Sequence, residues 1–340
     1  MVYVHGGGFL IDSAVKYGDR GIAKYLCCHG VVVVTIQYRL GLLGFFSSGD
    51  EVCAGNLGLW DMTMALRWVQ DNIKAFGGDP NRVTVVGQSA GGASVDMLAI
   101  SPHSRELFHQ IVLMAGNAEC AWSTVNRSQL VDSCREFARQ HGWDGTNYDV
   151  STSQALVEFL RHLKVKEFQK RLITAKGVDV SKIGLDLAPV IGLTSDDFLP
   201  KSIDELRNEA PRKAALVGTC QHEGLLFATL SPDHFSLKGV EKLLSVVISP
   251  EDHDNYEDLR KQAWDLYIGN INLNNKEEVA RANPNGPYDD SSVFDFKWEP
   301  VTTENYGNHL VINKKCEMRS NYEDQRAEFW KNIRIASKSS

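Results

Sequence analysis

The sequence predicts an α/β fold with a mostly parallel central β-sheet, and three observations lead to this prediction. Short apolar segments alternate with segments of helical periodicity along the first two thirds of the chain. The segment 31–38 is a run of mainly apolar residues, as in strands that are covered on both faces of a parallel sheet. Finally, no internal repeats or low-complexity tracts point to another architecture.

Five segments have the composition of strands, and one has the period of a long helix. The predicted strands are 2–4, 31–38, 82–86, 110–114 and 214–218. A helix is predicted from Trp60, because apolar residues recur there at helical spacing and Gly77 to Pro80 form a stop signal. Its apolar stripe consists of Met62, Leu66, Val69, Ile73 and Phe76.

The second half of the chain is less regular. Residues 130–210 are helical and charged without the alternation of a sheet, so we expect a helical excursion there. The pattern weakens after residue 251, and residues 270–287 are polar and rich in turn formers. We nevertheless expect a single domain over 1–340, because α/β folds often exceed the roughly 150 residues of an average domain.

Composition excludes several classes of partner. The chain has 340 residues, with 36 Lys and Arg against 43 Asp and Glu and a formal net charge of -7. Neither a basic total nor a basic run is present, which argues against a nucleic-acid partner. The longest apolar run is strand-sized and far below the roughly 18 residues of a membrane span. The sequence therefore predicts a globular protein without a membrane span.

The cysteines show neither a metal-binding nor a thioredoxin-type pattern. Their number is odd, and no two are spaced as CxxC, which excludes the common zinc motifs. We expect reduced thiols, with a Cys120–Cys134 disulfide as the alternative in an oxidising compartment. No metal ion or cofactor is predicted. The seven cysteines are Cys27, Cys28, Cys53, Cys120, Cys134, Cys220 and Cys316.

A candidate nucleophile stands in the string Gly87-Gln88-Ser89-Ala90-Gly91. A Val-rich strand precedes this Gly-x-Ser-x-Gly string and a segment of small residues follows it. This is the strand, tight turn and helix of a nucleophile elbow, in which the helix N-terminus offers backbone donors to an oxyanion. A plain strand-to-helix turn is the alternative interpretation.

A second glycine-rich string, His5-Gly6-Gly7-Gly8, follows the first predicted strand. Three glycines allow the backbone to approach a ligand and to aim N–H groups at it, so that with the N–H of Ala90 they would form an oxyanion hole. A phosphate-binding loop is the rival interpretation, but the motifs of such loops are missing. We expect His5 itself to order the loop rather than to act as a general base.

Longer strings around these motifs resemble a known family. VHGGGF, GNLGLWD, ALRWVQDNI, FGGDPNRVTVVGQSAGGASV and CAWS look like the type-B carboxylesterase/cholinesterase family of α/β hydrolases. The likeness continues more loosely through APVIG and GTCQHEG, and NHLVINKKCEMR and FWKN resemble the C-terminal part of invertebrate members. The resemblance implies an α/β-hydrolase fold, with helices on both faces of the sheet, and hydrolysis of carboxylic esters.

The resemblance also implies roles for individual residues. Ser89 would be the nucleophile, and the N–H groups of Gly7, Gly8 and Ala90 would hold the oxyanion. Glu223, in the string GTCQHEG, stands at the position of the acid that orients the histidine base. Taken without the family, Glu223 could equally be an ordinary loop carboxylate.

Two further positions bear on the substrate. Trp122 resembles the aromatic residue of the acyl pocket, although a core aromatic residue is an equally physical explanation. Gln88 stands where a Glu is common in the family. Because that negative charge would favour cationic substrates, we do not expect a preference for choline esters. The expected partner is a small-molecule carboxylic ester.

The family's histidine base is not found in its usual context. His234, His253 and His309 lie downstream of Glu223, and none stands in the string that carries the base in relatives. His309 is the remaining candidate, with a surface or structural residue as its alternative. We expect a deletion junction at 270–290 that removes both the histidine base of the family and the strand that precedes that histidine in relatives.

The resemblance further implies that the sheet strands ahead of Val2 are missing, so the chain is expected to be truncated. If this chain were the whole product, efficient turnover would not be expected, because the serine needs a base. The predicted function is a serine esterase acting through an acyl-enzyme; the alternative is an inactive esterase-like binding or adhesion protein. Met1 as written implies a cytoplasmic protein, and a missing N-terminal segment would allow a secreted or luminal one.

Overall fold

The computed structural model describes residues 1–168, 186–192, 194–220 and 254–267, together with 223, 241, 244–245, 248, 250, 269 and the backbone of 309–311 and 317–319. The chain divides into two compact units, Met1–Cys220 and Gln221–Ser340. Most of the described residues belong to the first unit. The expectation of a single domain stays a prediction.

The first unit is built on a five-stranded parallel sheet in the order β2-β1-β3-β4-β5. Val4 of β1 is in register with Gly87 of β3, and Gln88 of β3 with Met114 of β4. The strands are β1 Val2–Val4, β2 Val34–Thr35, β3 Thr84–Gln88, β4 Gln110–Met114 and β5 Ala214–Gly218. The prediction of a parallel α/β sheet is confirmed.

Two strands differ from their predicted bounds. The second strand covers Val34–Thr35 rather than 31–38, because it lies at the sheet edge and pairs only with the three-residue β1. The third strand begins at Thr84 rather than at Arg82. The N–H of Arg82 donates to Asp79 O at 3.1 Å, and that of Val83 to His109 Nδ1 at 3.2 Å, so these two amides belong to a turn and its exit.

In the described part of the first unit, seven α-helices pack on or beside this sheet or connect its strands. The long helix begins at Leu57 rather than at Trp60, after Asn56 in the left-handed conformation. It continues as a 3₁₀ helix to Phe76 and stops at Gly77, as predicted. The helices are α1 Arg20–Tyr25, α2 Gly41–Phe45, α3 Leu57–Asn72, α4 Ala90–Ile100, α5 Arg127–Gln140, α6 Val150–Arg161 and α7 Ile203–Glu209.

One core fills the first unit. All eleven residues of α4 are buried, so this helix after Ser89 lies inside the protein rather than on its surface. Four members of the predicted stripe on α3 are buried with it, but Phe76 is 62% exposed. The buried part of the predicted stripe therefore ends at Ile73, and the Phe76 ring lies at the surface, 5.7 Å from the ring of the partly exposed Trp68.

The predicted excursion at 130–210 contains α5, α6 and α7, while 169–185 lies outside the described residues. Side chains cap each of these helices: Asn126 accepts from Ser128 N–H, Asp149 from Thr152 N–H, and Ser202 forms a capping box with Glu205. Polar caps of this kind satisfy the free N–H groups of a helix start.

The second unit is described only in parts. Helix α8, Tyr256–Tyr267, packs Ala263 against Leu244 and Ile248 in a small cluster of its own. Strands β6 His309–Val311 and β7 Glu317–Arg319 form an antiparallel pair. The predicted junction at 270–290 lies outside the described residues. Within the described part of both units, every helix is too short or too polar to cross a lipid bilayer.

Candidate active site

Ser89 occupies a strained turn between β3 and α4. Its backbone angles, φ 56° and ψ -125°, lie outside the usual regions for a residue with a side chain. Its N–H donates to Met114 O at 2.8 Å, and its carbonyl accepts the first helical hydrogen bond from Ala93 N–H at 3.0 Å. Both bonds hold the strain in place. The side chain is half-buried at the carboxyl end of the sheet.

Glycine at position 91 allows α4 to leave this turn across the end of β1. A Cβ atom at Gly91 would overlap the carbonyl oxygen of Val4 and lie 2.7 Å from that of His5. Real Cβ atoms do not approach backbone oxygens so closely, so residue 91 can only be glycine in this packing. The close approach puts the first turn of α4, with its N–H groups, next to the string His5 to Gly8.

The string His5–Phe9, which we call the oxyanion loop after its predicted role, lies against the turn at Ser89, which we call the nucleophile turn for the same reason. A Cβ atom at Gly6 would lie 2.6 Å from Gln88 O and 3.1 Å from Ser89 Cβ. Gly7 has φ +104°, and its carbonyl accepts hydrogen bonds from the N–H groups of Leu10 and Ile11, both at 3.1 Å. These two bonds close a tight turn directly after Gly7.

The N–H groups of the candidate oxyanion donors can each donate a hydrogen bond to a ligand. Among the described residues, none accepts a hydrogen bond from the N–H groups of Gly7, Gly8 or Ala90. The N–H of Ala90 also lies at the N-terminus of an eleven-residue helix, where the helix dipole favours negative charge. The arrangement is suited to stabilising a negative oxygen bonded to an atom that Ser89 attacks.

His5, the first residue of the oxyanion loop, is completely buried. Its ring stacks on Tyr38, with the ring centroids 4.5 Å apart, and its Nδ1 lies 2.9 Å from Gly6 O. The Tyr38 hydroxyl donates to His5 O at 2.8 Å, and burial raises the pKa of this phenol above its usual range. These contacts support the expectation that His5 orders the loop.

Trp122 lies near the oxyanion loop. It is half-buried, and its ring centroid lies 6.4 Å from that of Phe9, whose φ of 60° is unusual for an aromatic residue. Its ring also packs against the core, and the acyl-pocket assignment stays a prediction. Gln88 is exposed.

The predicted acid and the candidate base lie outside the first unit, to which Ser89 belongs. Glu223 and His309 belong to the second unit; Glu223 is exposed, and His309 is described only as the first residue of β6. His234 and His253 lie outside the described residues. Their roles therefore stay predictions.

Four further histidines of the first unit have contacts of their own. His103, His109, His141 and His162 each hydrogen-bond to a backbone group of a neighbouring element or of their own helix. In the part of the chain that is described, no side chain hydrogen-bonds to Ser89 Oγ. Nor does any group of three His, Cys, Asp or Glu side chains stand where it could hold a metal ion, again among the described residues.

Two long-range contacts within the first unit were missed by the sequence analysis. Asn56 forms two hydrogen bonds with the backbone of Val190: its Nδ2 donates to the carbonyl oxygen at 2.7 Å, and its Oδ1 accepts from the N–H at 2.9 Å. Asp96, on α4, pairs with Arg207 of α7. The signal for Asp96 was its presence, as the only charged residue, among the small and apolar residues of that helix.

Comparison with known proteins places this geometry in a family. Residues 1–283 match the model of the carboxylesterase family. The chain is 43% identical to Esterase cest-33 of Caenorhabditis elegans over 233 residues, which cover 68% of this chain and 40% of the relative. It is 33% identical to Gut esterase 1 of Caenorhabditis briggsae over 293 residues, covering 82% of this chain and 49% of that protein.

A mammalian protein is also similar to this chain. Liver carboxylesterase 1 of Oryctolagus cuniculus is 40% identical over 184 residues, which cover 54% of this chain and 31% of that protein. The chain thus spans less than half the length of these relatives. With the parallel sheet and the match over 283 residues, these findings confirm the α/β-hydrolase fold, and the chain belongs to the carboxylesterase family.

Proposed function

We propose that this chain carries the acylation centre of a serine hydrolase that cleaves small carboxylic esters. The observation that carries the proposal is the strained Ser89, with the N–H of Ala90 directly after it at the start of α4 and the oxyanion loop packed against it at Gly6. Strain of this kind persists only where the surrounding structure holds it, and a structural turn between β3 and α4 would not need it. The esterase names of the relatives support the same function.

The first step forms an ester between the chain and the substrate's acyl group. Ser89 Oγ attacks the carbonyl carbon, its proton goes to a base, and the carbonyl oxygen becomes negative. The N–H groups of Gly7, Gly8 and Ala90 stabilise that oxygen, a contribution of about 3 to 4 kcal/mol for one good donor in other hydrolases. The C–O bond to the alcohol then breaks, and the alcohol leaves with the proton.

The second step restores the serine. Water gives a proton to the base and attacks the acyl-enzyme, and the same oxyanion donors stabilise the second negative intermediate. The Ser89–acyl bond breaks, the carboxylic acid leaves, and Oγ recovers its proton. In this proposal Glu223 orients the histidine base and stabilises its positive charge. His309 is the candidate for that base within the chain.

A catalytically inactive, esterase-like binding protein is the second candidate. The observation that favours it is that Ser89 Oγ has no side-chain partner among the described residues. Without a base in hydrogen-bond reach the hydroxyl is a weak nucleophile, and loss of the histidine costs on the order of a million-fold in kcat in a serine protease. A carbonyl compound would then bind at the oxyanion hole without turnover.

Labelling with a fluorophosphonate separates the two candidates. The full chain should form a covalent adduct at Ser89, located by peptide mass spectrometry, and the Ser89→Ala variant should form none. Glu223→Gln should slow the labelling at least about tenfold if the carboxylate orients the base. Thr84→Ala, on the same strand but with its side chain away from the turn, serves as the control.

The two candidates predict opposite results. A folded protein, shown by circular dichroism, that remains unlabelled after hours would contradict the esterase proposal and favour the binding protein. Labelling at Ser89 that is equally fast in Glu223→Gln would retain the esterase but remove Glu223 from its proposed role.

A further inference from the structure

An ion pair between the buried Asp96 and the partly exposed Arg207 holds the loop that follows β4. The Asp96 side chain is 4% exposed, and its Oδ2 accepts a hydrogen bond from Ala118 N–H at 2.9 Å. Arg207, on α7, donates to both carboxylate oxygens, from Nη1 to Oδ1 at 3.1 Å and from Nη2 to Oδ2 at 2.9 Å. A bidentate pair of this kind fixes orientation as well as distance. We call residues 115–123 the acyl loop.

The same guanidinium reaches the acyl loop directly. Arg207 Nε lies 3.4 Å from Glu119 Oε1, so two consecutive loop residues are held, one through its amide and one through its side chain. The hydrogen bonds to Asp96 raise the pKa of Arg207, although burial acts in the opposite direction. Because Asp96 is almost fully shielded from water, its attraction to Arg207 is screened less than that of a surface pair.

Both ends of the acyl loop contact parts of the candidate active site. At its start, a Cβ atom at Gly116 would overlap the backbone oxygen of Ser89. Near its end, Trp122 lies beside Phe9 of the oxyanion loop. The Ser123 hydroxyl donates to Ala118 O at 2.8 Å, which ties the residue after Trp122 to the one that Asp96 holds.

We propose that Asp96, Arg207 and Glu119 form a clamp that positions Trp122 and thereby sets the size of the acyl group accepted at Ser89. The inference rests on the proposed function. Asp96 and Arg207 act through the acyl loop and are positioning residues. Loss of the ion pair lets the loop move away from the oxyanion loop, which enlarges the space beside Ser89.

The test measures selectivity rather than overall reactivity. Ser89 is labelled with two fluorophosphonates that differ only in the alkyl group on phosphorus, which is methyl in one and isobutyl in the other. The ratio of their second-order rate constants for labelling is then compared between variants. Asp96→Asn keeps the shape of the side chain and removes its charge. We expect it to raise the isobutyl-to-methyl ratio at least about fivefold, and Arg207→Lys, which keeps the charge and loses the fork geometry, to give an intermediate ratio.

The matched control is Asp61→Asn. Asp61 forms a bidentate pair of the same type with Arg39, with distances of 2.7 Å from both Nε and Nη2, on α3 and away from the acyl loop. Its loss should leave the ratio unchanged. Hydrogen exchange gives a readout that needs no reaction at Ser89: amides of residues 115–123 should exchange at least about tenfold faster in Asp96→Asn and at the wild-type rate in Asp61→Asn.

Each outcome bears on the clamp. Normal labelling of the wild-type chain, with an Asp96→Asn ratio and loop exchange equal to those of Asp61→Asn, overturns the inference alone. If the wild-type chain is not labelled, both the proposed function and the selectivity role are overturned. This outcome differs from failure of the clamp alone because it is seen in the wild-type chain, before any variant is compared. If Asp96→Asn does not fold, Arg207→Lys and Glu119→Gln carry the same comparison.

Discussion

The nucleophile turn and the helical segment 127–161 belong to one unit but are held by different contacts. Around Ser89, backbone lies against backbone, and Gly91 has no room for even one added carbon atom. In α5 and α6 the contacts outside the core are side-chain caps and exposed ion pairs such as Arg139–Glu136. The difference implies that an added side-chain atom in the turn at Ser89 must displace backbone, whereas a substitution in the helical segment removes only a side-chain cap.

The largest effect is expected at Gly91. Gly91→Ala should destabilise the first unit by about 3 kcal/mol or more, the upper end for overpacking, because the new Cβ meets the backbone of β1 rather than a movable side chain. Urea denaturation measures the loss. The same substitution should also reduce fluorophosphonate labelling, since the turn that holds Ser89 must shift.

Gly21→Ala is the matched control for that prediction. Gly21 lies in helix α1, where an added Cβ atom would have no heavy atom within 4 Å, and its φ is not in the left-handed region. The substitution should therefore stabilise the protein by up to about 1 kcal/mol, the usual gain for alanine over glycine in a helix. Equal destabilisation by both substitutions would contradict the contrast between the two regions.

A smaller effect is expected from a cap in the helical segment. Asn126 Oδ1 accepts from Ser128 N–H at 2.9 Å at the start of α5, and Asn126→Ala should cost about 1 kcal/mol. Asn126→Asp keeps the acceptor and should retain most of the stability. Labelling at Ser89 should be unchanged in both variants. A loss as large as that of Gly91→Ala would show that the helical segment is held as tightly as the turn.

The smallest effect is a pH dependence at the start of α6. Hydrogen bonds from the Ser151 hydroxyl and the Thr152 N–H lower the pKa of Asp149 below its usual range. A carboxyl whose pKa is lower in the folded state stabilises the fold above its unfolded pKa of about 3.9, and this contribution is lost as the pH falls through the lower folded value.

Asp149→Asn tests this dependence because asparagine also caps helices but does not titrate. The wild-type chain should lose more stability than the variant between about pH 5 and pH 3, as measured by the urea midpoint. Parallel pH curves for the two proteins would show that the Asp149 contacts carry no charge-dependent stability.

Local features of the fold and the site were predictable from the sequence, and distant ones were not. Strand β3, Ser89 and α4 lie within a short stretch of sequence, and the glycines and valines of that stretch predict the turn. By contrast, the Asp96–Arg207 pair spans 111 residues and the Asn56–Val190 contact spans 134. No periodicity reports such pairs, because side-chain partners are chosen by the packed fold rather than by neighbours in sequence.

The bounds of strands failed for a related reason. Residues 31–38 have the composition of a covered strand, yet only Val34–Thr35 pairs, because the length of a strand is limited by its neighbour and β1 has three residues. Phe76 likewise has an apolar side chain at the right spacing, but its ring lies beside that of the partly exposed Trp68 rather than in the core. Composition describes what a residue favours, and the available partner decides what it forms.

The hydrogen bond from Tyr38 to the carbonyl of His5 has a consequence for enzymology. Because burial raises the pKa of this phenol, the hydroxyl keeps its proton at every pH at which esters are normally assayed. This anchor of the oxyanion loop is therefore silent in titrations. A bend in the pH–rate profile of Ser89 labelling would report a different ionising group, and the midpoint of the bend would give a first measure of the pKa of the base.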